Sequence, residues 1–257
     1  MKGAIRSEWL KVRRPSILGT TFVAIVGLSI AAVIVGLHEL DRPRAHANIA
    51  LYSQQDGVRA ILAHSTDFLA IVGLGFAAFA FSTEFSGGTL RNLLVRQPKR
   101  LTLYAGKGVV IAALIAAGVL LAYAVSFPVA LATAPHYGVS TALWTTPSGL
   151  ASVAAGGGDL VLSTLGYSIF GALLGVLLRS PAPAIVAGLA YVFAVEGLLT
   201  NSFPSLSSVL FASQLDAIGH GGTADVGYVS ALLVAAAWML GFIVLGALDF
   251  RRRDVAS

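Results

Sequence analysis

The stretch KGVVIAALIAAGVLLAYAVSFPVALA, residues 107–132, carries one charged side chain, Lys107, in 26 positions. A helix of about 20 apolar residues is long enough to cross the hydrocarbon core of a bilayer. The run is too long for a strand and lacks the period of an amphipathic helix, so it predicts a membrane-spanning helix. Pro128 should bend that helix near its far end.

Similar apolar runs recur along the chain, and the composition agrees with them. The 257 residues are 56% hydrophobic and 11% charged, with a mean hydropathy of +0.83, whereas soluble domains carry about 25% charged residues. We therefore predict an all-α integral membrane protein with a single transmembrane domain, residues 1–257. The six predicted spans are about 16–37, 67–82, 107–132, 159–178, 183–200 and 226–248.

The positions of lysine and arginine predict the orientation of these spans. Five lie before the first span, five between residues 91 and 107, one at Arg179 and three after the last span. These fourteen share one side, against Arg42, Arg44 and Arg59 on the other. The positive-inside rule then places both termini in the cytoplasm. The net charge of +5 thus indicates topology signals, and we expect no nucleic-acid partner.

Several kinds of chemistry lack their usual residues. The chain has no cysteine, which removes disulfides, thiolate metal sites and thiol catalysis. It also has no phosphate-loop, zinc-protease or serine-hydrolase motif. Residues 156–159 fit the G-x-G-D of intramembrane aspartyl proteases, but the third predicted span has no second aspartate. We expect no catalytic, cofactor or metal site in this chain, and hence no enzyme.

One ionisable residue stands out inside a predicted span. Glu196 lies 13 residues past Pro183, or about 20 Å along a helix. Intramembrane carboxylates usually face a cavity or a partner, so Glu196 is a candidate for a substrate pathway. A position near the interface would equally let it be hydrated. The five histidines all fall in predicted outer segments, without the spacing of metal ligands.

Small residues four positions apart favour close packing of three spans. Such packing can occur within one bundle or between two chains, and the spacing alone does not choose between them. The pairs are Gly27 with Ala31, Gly171 with Gly175, and Ala184 with Gly188.

The most informative segment lies between the second and third spans: TEFSGGTLRNLLVRQPKR, residues 83–100. Its two glycines should end the helix that leaves the membrane, Thr89 can cap a new helix, and Pro98 ends it about two turns later. An apolar stripe on this short basic helix needs a cover, which could be lipid, the ends of the bundle or a partner's groove. The stripe consists of Leu90, Leu93 and Leu94.

This segment resembles the cytoplasmic loop after the second span of type-2 ABC exporter permeases, where a coupling helix docks on a separate ATP-binding subunit. The shared pattern is E-x-x-x-G-T-L-x-x-L-L-x-x-x-P-x-R. The resemblance implies that the matching residues couple the chain to that subunit. They are Glu84, Gly88, Thr89, Leu90, Leu93, Leu94, Pro98 and Arg100.

The whole layout is similar to that family. Residues 1–15 are expected to form an amphipathic elbow helix on the membrane surface, with Ile5, Trp9 and Val12 on one face. Residues 83–106 would form the cytoplasmic coupling segment. Residues 201–225 would form an outer re-entrant segment.

The resemblance also implies an assembly and a function. Two permease chains, a homodimer rather than a heterodimer, would join two ATP-binding subunits that carry ATP and Mg²⁺, in a bacterial inner membrane. The first and fifth spans would line the dimer interface, which suits Gly27, Ala31, Ala184 and Gly188. The expected function is export of an amphipathic or lipophilic substrate, such as a drug, an antimicrobial peptide or a lipid. The alternatives are a non-transporting mechanotransmission or sensor subunit, and an ion-coupled secondary carrier.

Overall fold

The computed structural model describes residues 2–12, 15–41, 46–86 and 100–252. The structure is 88% helical, and the described residues contain no strand, which confirms the predicted all-α class. In chain order the helices are α1 (Lys2–Val12), α2 (Pro15–His38), α3 (His46–Tyr52), α4 (Gly57–Ala63), α5 (Thr66–Ser86), α6 (Arg100–Thr133), α7 (Pro147–Leu178), α8 (Pro181–Leu189), α9 (Gly197–Ser202), α10 (Phe211–His220) and α11 (Tyr228–Arg252).

Six helical stretches in the described residues are long and apolar enough to cross a membrane. They are α2, α5, α6, α7, the stretch from α8 to α9, and α11. A helix satisfies its own backbone hydrogen bonds, so it can pass through lipid where a loop cannot. The structure thus has the six apolar helices expected of a multi-pass membrane protein, close to the positions that hydropathy predicts.

The fourth span begins well before its predicted start at Asp159. The helix α7 starts at Pro147, and the side-chain oxygen of Thr146 accepts a hydrogen bond from the backbone N–H of Gly149 at 3.2 Å. A threonine cap followed by proline is a strong signal for a helix start. The boundary predicted at residue 159 was therefore wrong by about three turns.

Three consecutive glycines, residues 156–158, directly precede the predicted start, and glycine weakens a helix in isolation. In the folded chain these residues continue α7. A Cβ atom built on Gly156 would lie 2.5 Å from the hydroxyl of Tyr123, so the neighbouring helix can approach only because this position has no side chain. Tertiary packing thus overrides the local propensity.

The other spans also extend beyond their predicted bounds. The helix α6 begins at Arg100 and continues past Pro128 to Thr133, and α11 continues to Arg252. The fifth span is interrupted by a π-helical stretch, Ala190–Glu196, between α8 and α9. The helices thus continue beyond the apolar runs into charged and polar residues, which hydropathy alone does not predict.

The helix α7 lies at the centre of the bundle, with 67% of its most apolar window buried, whereas the corresponding values for the fifth and sixth spans are 22% each. It packs most extensively on α5. Glycines make this contact close: a Cβ on Gly171 would lie 2.2 Å from the backbone oxygen of Leu74, and one on Gly175 would lie 2.6 Å from that of Ala78. These two glycines therefore serve packing within one chain.

The two ends of the bundle are formed by different elements. At the end that we call the basic end, α1 packs on α6, and Phe250 of α11 meets the rings of Phe85 and Tyr104 with centroids 5.9 and 5.7 Å away. At the opposite end, called the far end, α3 and α4 join residues 134–146 and 203–227. Trp144 is fully buried there, and its indole N–H donates to the backbone oxygen of Tyr52 at 3.0 Å.

The closeness of α5 and α7 leads to a stability prediction. Gly171→Ala should lower the free energy of unfolding by about 1–3 kcal/mol, because its Cβ would displace the backbone of α5. Thermal unfolding in detergent measures the change. Gly158→Ala in the same helix is the matched control, since nothing lies within 4 Å of its Cβ position. Equal melting temperatures for the two variants would contradict the packing argument.

Candidate functional site

A buried lysine forms the centre of a charge cluster at the basic end. The Nζ atom of Lys107 lies 2.7 Å from Oε1 of Glu84 and 3.4 Å from Oε2 of Glu8. The ammonium group also donates to the backbone oxygen of Ala80 at 2.9 Å and lies 5.7 Å from the ring centroid of Phe81. Opposite charges and a carbonyl thus compensate the burial of the ammonium group.

This lysine cluster connects three elements. Glu8 lies on α1, Glu84 near the end of α5, and Lys107 in the third turn of α6. The exposed fractions of the three side chains are 5%, 12% and 9%, so water screens their attraction only weakly. A displacement of any one element would separate charges in a place of low dielectric constant.

The structure describes two of the predicted coupling residues, Glu84 and Arg100. Glu84 is paired within the chain with Lys107, a partner that was not predicted for it. Arg100 is the first residue of α6. The remaining predicted residues lie outside the described residues, and their contact with an ATP-binding subunit stays a prediction. They are Gly88, Thr89, Leu90, Leu93, Leu94 and Pro98.

Sequence reasoning assigned Lys107 only to topology and missed its two partners. A signal was present, because a lysine at the start of an apolar run has its charge near the membrane boundary, where a buried position requires an acidic neighbour. The fold decides which acidic residue becomes that neighbour, since Glu8 is 99 positions away in the sequence.

The predicted elbow segment is helical, as α1. Trp9 is 42% exposed and Leu10 is 59% exposed, whereas the neighbouring Glu8, which pairs with Lys107, is buried. Ile5 is half-buried, and Val12 ends the helix, with a side chain outside the described part of the structure. The apolar face therefore includes exposed Trp9, and its position on a membrane surface stays a prediction.

Glu196 has its partner in a different part of the chain. Its side chain is 2% exposed, and its carboxylate accepts hydrogen bonds from the backbone N–H groups of Ala212, at 2.8 and 3.0 Å to its two oxygens, and of Ser213, at 3.2 Å. These donors are at the start of α10, where a negative charge is favoured by the helix dipole. The carboxylate thus anchors α10 to the fifth span.

A cavity of about 290 Å³ opens beside Glu196 at the far end. Its walls also include aromatic, aliphatic and hydroxyl side chains, and the described lining residues include no lysine or arginine. The resulting negative potential would favour cationic or hydrogen-bond-donating groups. The carboxylates that line it are Asp67, Glu196, Asp216 and Asp225.

The small residues proposed for a dimer interface differ in their surroundings. Ala184 is fully buried, and a Cβ on Gly188 would lie 2.7 Å from a methyl group of Leu74, so both serve packing within the chain. Gly27 and Ala31 are exposed on α2. The fifth-span pair is thus covered by α5 and α7 before any second chain can approach, which corrects the expectation for these two residues.

A second charge cluster connects the far end to the spans. Arg59 of α4 forms an ion pair with Asp159 of α7, and the hydroxyl of Tyr228, at the start of α11, donates to the same carboxylate. Asp159 is 5% exposed. The sequence placed Asp159 at the start of the fourth predicted span and offered no reason to pair it with Arg59.

His220, at the end of α10, is paired with an acid one turn earlier. Its Nδ1 atom lies 3.2 Å from Oδ1 of Asp216. The pKa of His220 is raised above its ordinary value, chiefly by the hydrogen bond to that carboxylate, with a smaller contribution from the charge of Asp67. Among the described residues, no group of three or more acids and histidines is arranged to hold a metal ion.

These observations describe a helical protein whose six long apolar helices are compatible with a multi-pass membrane protein, with an internal charge cluster near each end. Residues 45–256 match the family described as "Protein of unknown function (DUF2705)". The chain therefore belongs to this family, and the match covers every predicted span except the first. No curated protein matches the chain.

The lysine cluster predicts a defined loss of stability. Lys107→Met should lower the free energy of unfolding by about 3 kcal/mol, because two buried carboxylates lose the ammonium group that is paired with them. Thermal unfolding in detergent, with proteolysis to follow the release of α1, measures the effect. Adding Glu84→Gln to Lys107→Met should recover part of the loss. A single variant as stable as the wild type would show that the cluster contributes little.

The raised pKa of His220 predicts a pH-dependent contribution. Because the charged form is favoured in the folded protein, the contact contributes fully below the ordinary pKa of 6.5 and is lost as the pH rises through the raised value. The side chain is 36% exposed, so the effect should stay below about 1 kcal/mol.

Melting temperatures of the wild type and His220→Gln should therefore differ at about pH 5.5 and converge at about pH 9. His136→Gln, at an exposed position of the far end, controls for the loss of a histidine. A difference between the wild type and His220→Gln that grows with pH would contradict the assignment.

Proposed function

We propose that this chain is the membrane-spanning permease subunit of a type-2 ABC exporter that moves an amphipathic or lipophilic substrate out of a bacterial cell. Separate ATP-binding subunits would supply the ATP and Mg²⁺ chemistry. Both termini would lie in the cytoplasm, so the basic end would face the ATP-binding subunits and the far end would face outward.

The observation that carries this proposal is the position of the lysine cluster. Glu84 and Lys107 flank the segment that resembles a coupling helix, and Lys107 also holds Glu8 of α1. A displacement of that segment by an ATP-binding subunit would therefore act on α1, α5 and α6 together. Buried charge pairs suit this purpose because separating them is costly.

The exposed surfaces of the spans support a second permease chain as partner. Gly27 and Ala31 lie on an exposed face of α2, and the face of the fifth span opposite Gly188 carries Val186, 65% exposed, and Phe193, 44% exposed. A homodimer formed through these faces would retain the predicted pairing of the first and fifth spans. The interface would then use the apolar side chains of the fifth span in place of its small ones.

The surroundings of Glu196 bear on the alternative of an ion-coupled carrier. A coupling carboxylate must exchange its proton or ion during transport. Glu196 instead accepts three backbone hydrogen bonds that hold the start of α10. This structural use favours an exporter driven by ATP, although the same carboxylate lines the far-end cavity.

A paired substitution in the coupling segment tests the proposal. Leu93→Asp with Leu94→Asp should abolish binding of the ATP-binding subunit, because charges would enter an apolar contact without partners. Co-purification of the two subunits measures binding, and transport in reconstituted vesicles measures function. Leu51→Asp with Leu143→Asp, on exposed leucines of the far end, is the matched control and should leave the complex intact.

The possible results separate the alternatives. A complex that forms and transports with both coupling leucines replaced would refute the coupling role. An intact wild-type complex that hydrolyses ATP but moves no substrate would favour the mechanotransmission subunit. Transport by the permease chain alone, without any ATP-binding subunit, would establish the secondary carrier.

A further inference from the structure

Four helices meet around one carboxylate at the far end. The guanidinium of Arg59, on α4, pairs with Asp159 of α7, and the hydroxyl of Tyr228 brings α11 to the same carboxylate. Tyr123 of α6 lies beside Arg59, since both side chains pack against Gly156. A Cβ atom built on Gly156 would lie 2.5 Å from the hydroxyl of Tyr123 and 2.8 Å from the Cγ atom of Arg59. The short helix α4 is thus paired with α7 at a point that α6 and α11 also approach.

Two glycines make the room that the arginine side chain occupies. A Cβ on Gly156 would overlap its Cγ atom, and a Cβ on Gly221 would lie 2.2 Å from its Nη2 atom. Gly221 also has a φ of +77°, a backbone conformation that side chains with a Cβ rarely adopt. The slot around Arg59 therefore depends on the absence of two side chains, one on α7 and one after α10.

The hydrogen bonding of the cluster is incomplete in this arrangement. Within the described residues, neither the Nε atom of Arg59 nor the hydroxyl of Tyr123 has a hydrogen-bond partner, although both atoms are buried. A buried donor without an acceptor raises the free energy of the state that contains it. Water would satisfy both donors if α4 moved away, so the arrangement favours separation more than a fully paired cluster would.

The position of the ion pair makes separation feasible. The side chain of Arg59 is 22% exposed, whereas that of Asp159 is 7% exposed. Outward movement of α4 would carry the guanidinium directly into water and would open a path for water to the carboxylate. Neither charge would have to cross an apolar region, which is the step that usually prevents a buried ion pair from opening.

We propose that Arg59, Asp159 and Tyr228 form a latch that holds α4 closed over the far end, and that release of this latch admits water between α4 and the spans. The latch is a conformational device separate from the coupling segment. It does not depend on the function proposed above, and its test uses neither ATP nor transport.

The test uses a cysteine as a reporter of water access below the latch. Ser163 lies four residues after Asp159, on the same face of α7 and about 6 Å farther into the bundle. Its side chain is 1% exposed, and its hydroxyl has no hydrogen-bond partner in the described residues, so Ser163→Cys loses no hydrogen bond. The chain has no other cysteine. The rate of reaction with a charged maleimide then measures access.

Gly156→Ala should open the latch without changing any charge, because the new Cβ would displace both the hydroxyl of Tyr123 and the side chain of Arg59. We expect this variant to raise the labelling rate at position 163 at least tenfold, and Arg59→Gln to do the same. Gly158→Ala, two residues along α7 and with nothing within 4 Å of its Cβ position, is the matched control and should leave the rate unchanged. Gel filtration and circular dichroism establish that each variant is folded.

A reversible cross-link separates the latch from general loosening. The hydroxyl of Ser152, in α7, donates to the carboxylate of Asp56, which directly precedes α4. With Asp56→Cys and Ser152→Cys added to the Gly156→Ala reporter, oxidation should restore protection at position 163 and reduction should remove it. Peptide mass spectrometry distinguishes label at position 163 from label at the other two positions.

Each result decides the proposal. Faster labelling in Gly156→Ala and Arg59→Gln that the cross-link reverses supports the latch. A reporter that stays protected in both folded variants overturns it, because the cluster would then be a static support. Faster labelling that the cross-link does not reverse also overturns it, because the exposure would come from loss of packing throughout the bundle.

Discussion

The contact of α5 with α7 is the constraint on which the other contacts depend. Gly171 and Gly175 bring α7 onto the backbone oxygens of Leu74 and Ala78, at distances that exclude any side chain. Helices in lipid gain little from burying apolar surface, so such close van der Waals contact is a main source of their association. Because α7 is the most buried span, the positions of its neighbours follow from this contact.

Charged groups within the bundle occur near its two ends and are used differently. At the basic end, Lys107 has two acidic partners and a carbonyl, and the cluster is well compensated. At the far end, Arg59 has one acidic partner and a nitrogen atom without an acceptor in the described residues. The first arrangement suits transmission between rigid elements, and the second suits an element that separates. In an exporter, these two properties would be needed at the energised end and the releasing end respectively.

Glu196 shows how an unusual backbone positions a functional candidate. The π-helical stretch Ala190–Glu196 inserts extra chain into the fifth span, and its last residue is the one whose carboxylate reaches the start of α10. π-helical segments are uncommon and are often found at functional sites. Here the segment fixes α10 beside an acidic cavity, so that support of the fold and lining of the cavity fall to the same side chain.

Local properties of the sequence were enough to predict the spans. The apolar runs around residues 107–132 and 226–248 determine where helices cross a membrane, because the cost of exposing polar groups to lipid applies residue by residue. Prediction failed at the ends of the spans. The start of α7 at Pro147 was missed because the apolar run begins only after three glycines, whereas in the folded chain these glycines pack against Tyr123 and continue the helix.

The sequence by itself thus determined the class of protein, the number of spans and the candidates Glu84 and Glu196. Only the tertiary structure decided their partners: Lys107 for Glu84, the start of α10 for Glu196 and, for Asp159, an arginine 100 positions earlier. It also decided that Ala184 and Gly188 face their own bundle. The physical reason is that hydropathy and helix signals act over a few residues, whereas pairing of buried charges and close helix contact depend on which distant segments the fold brings together.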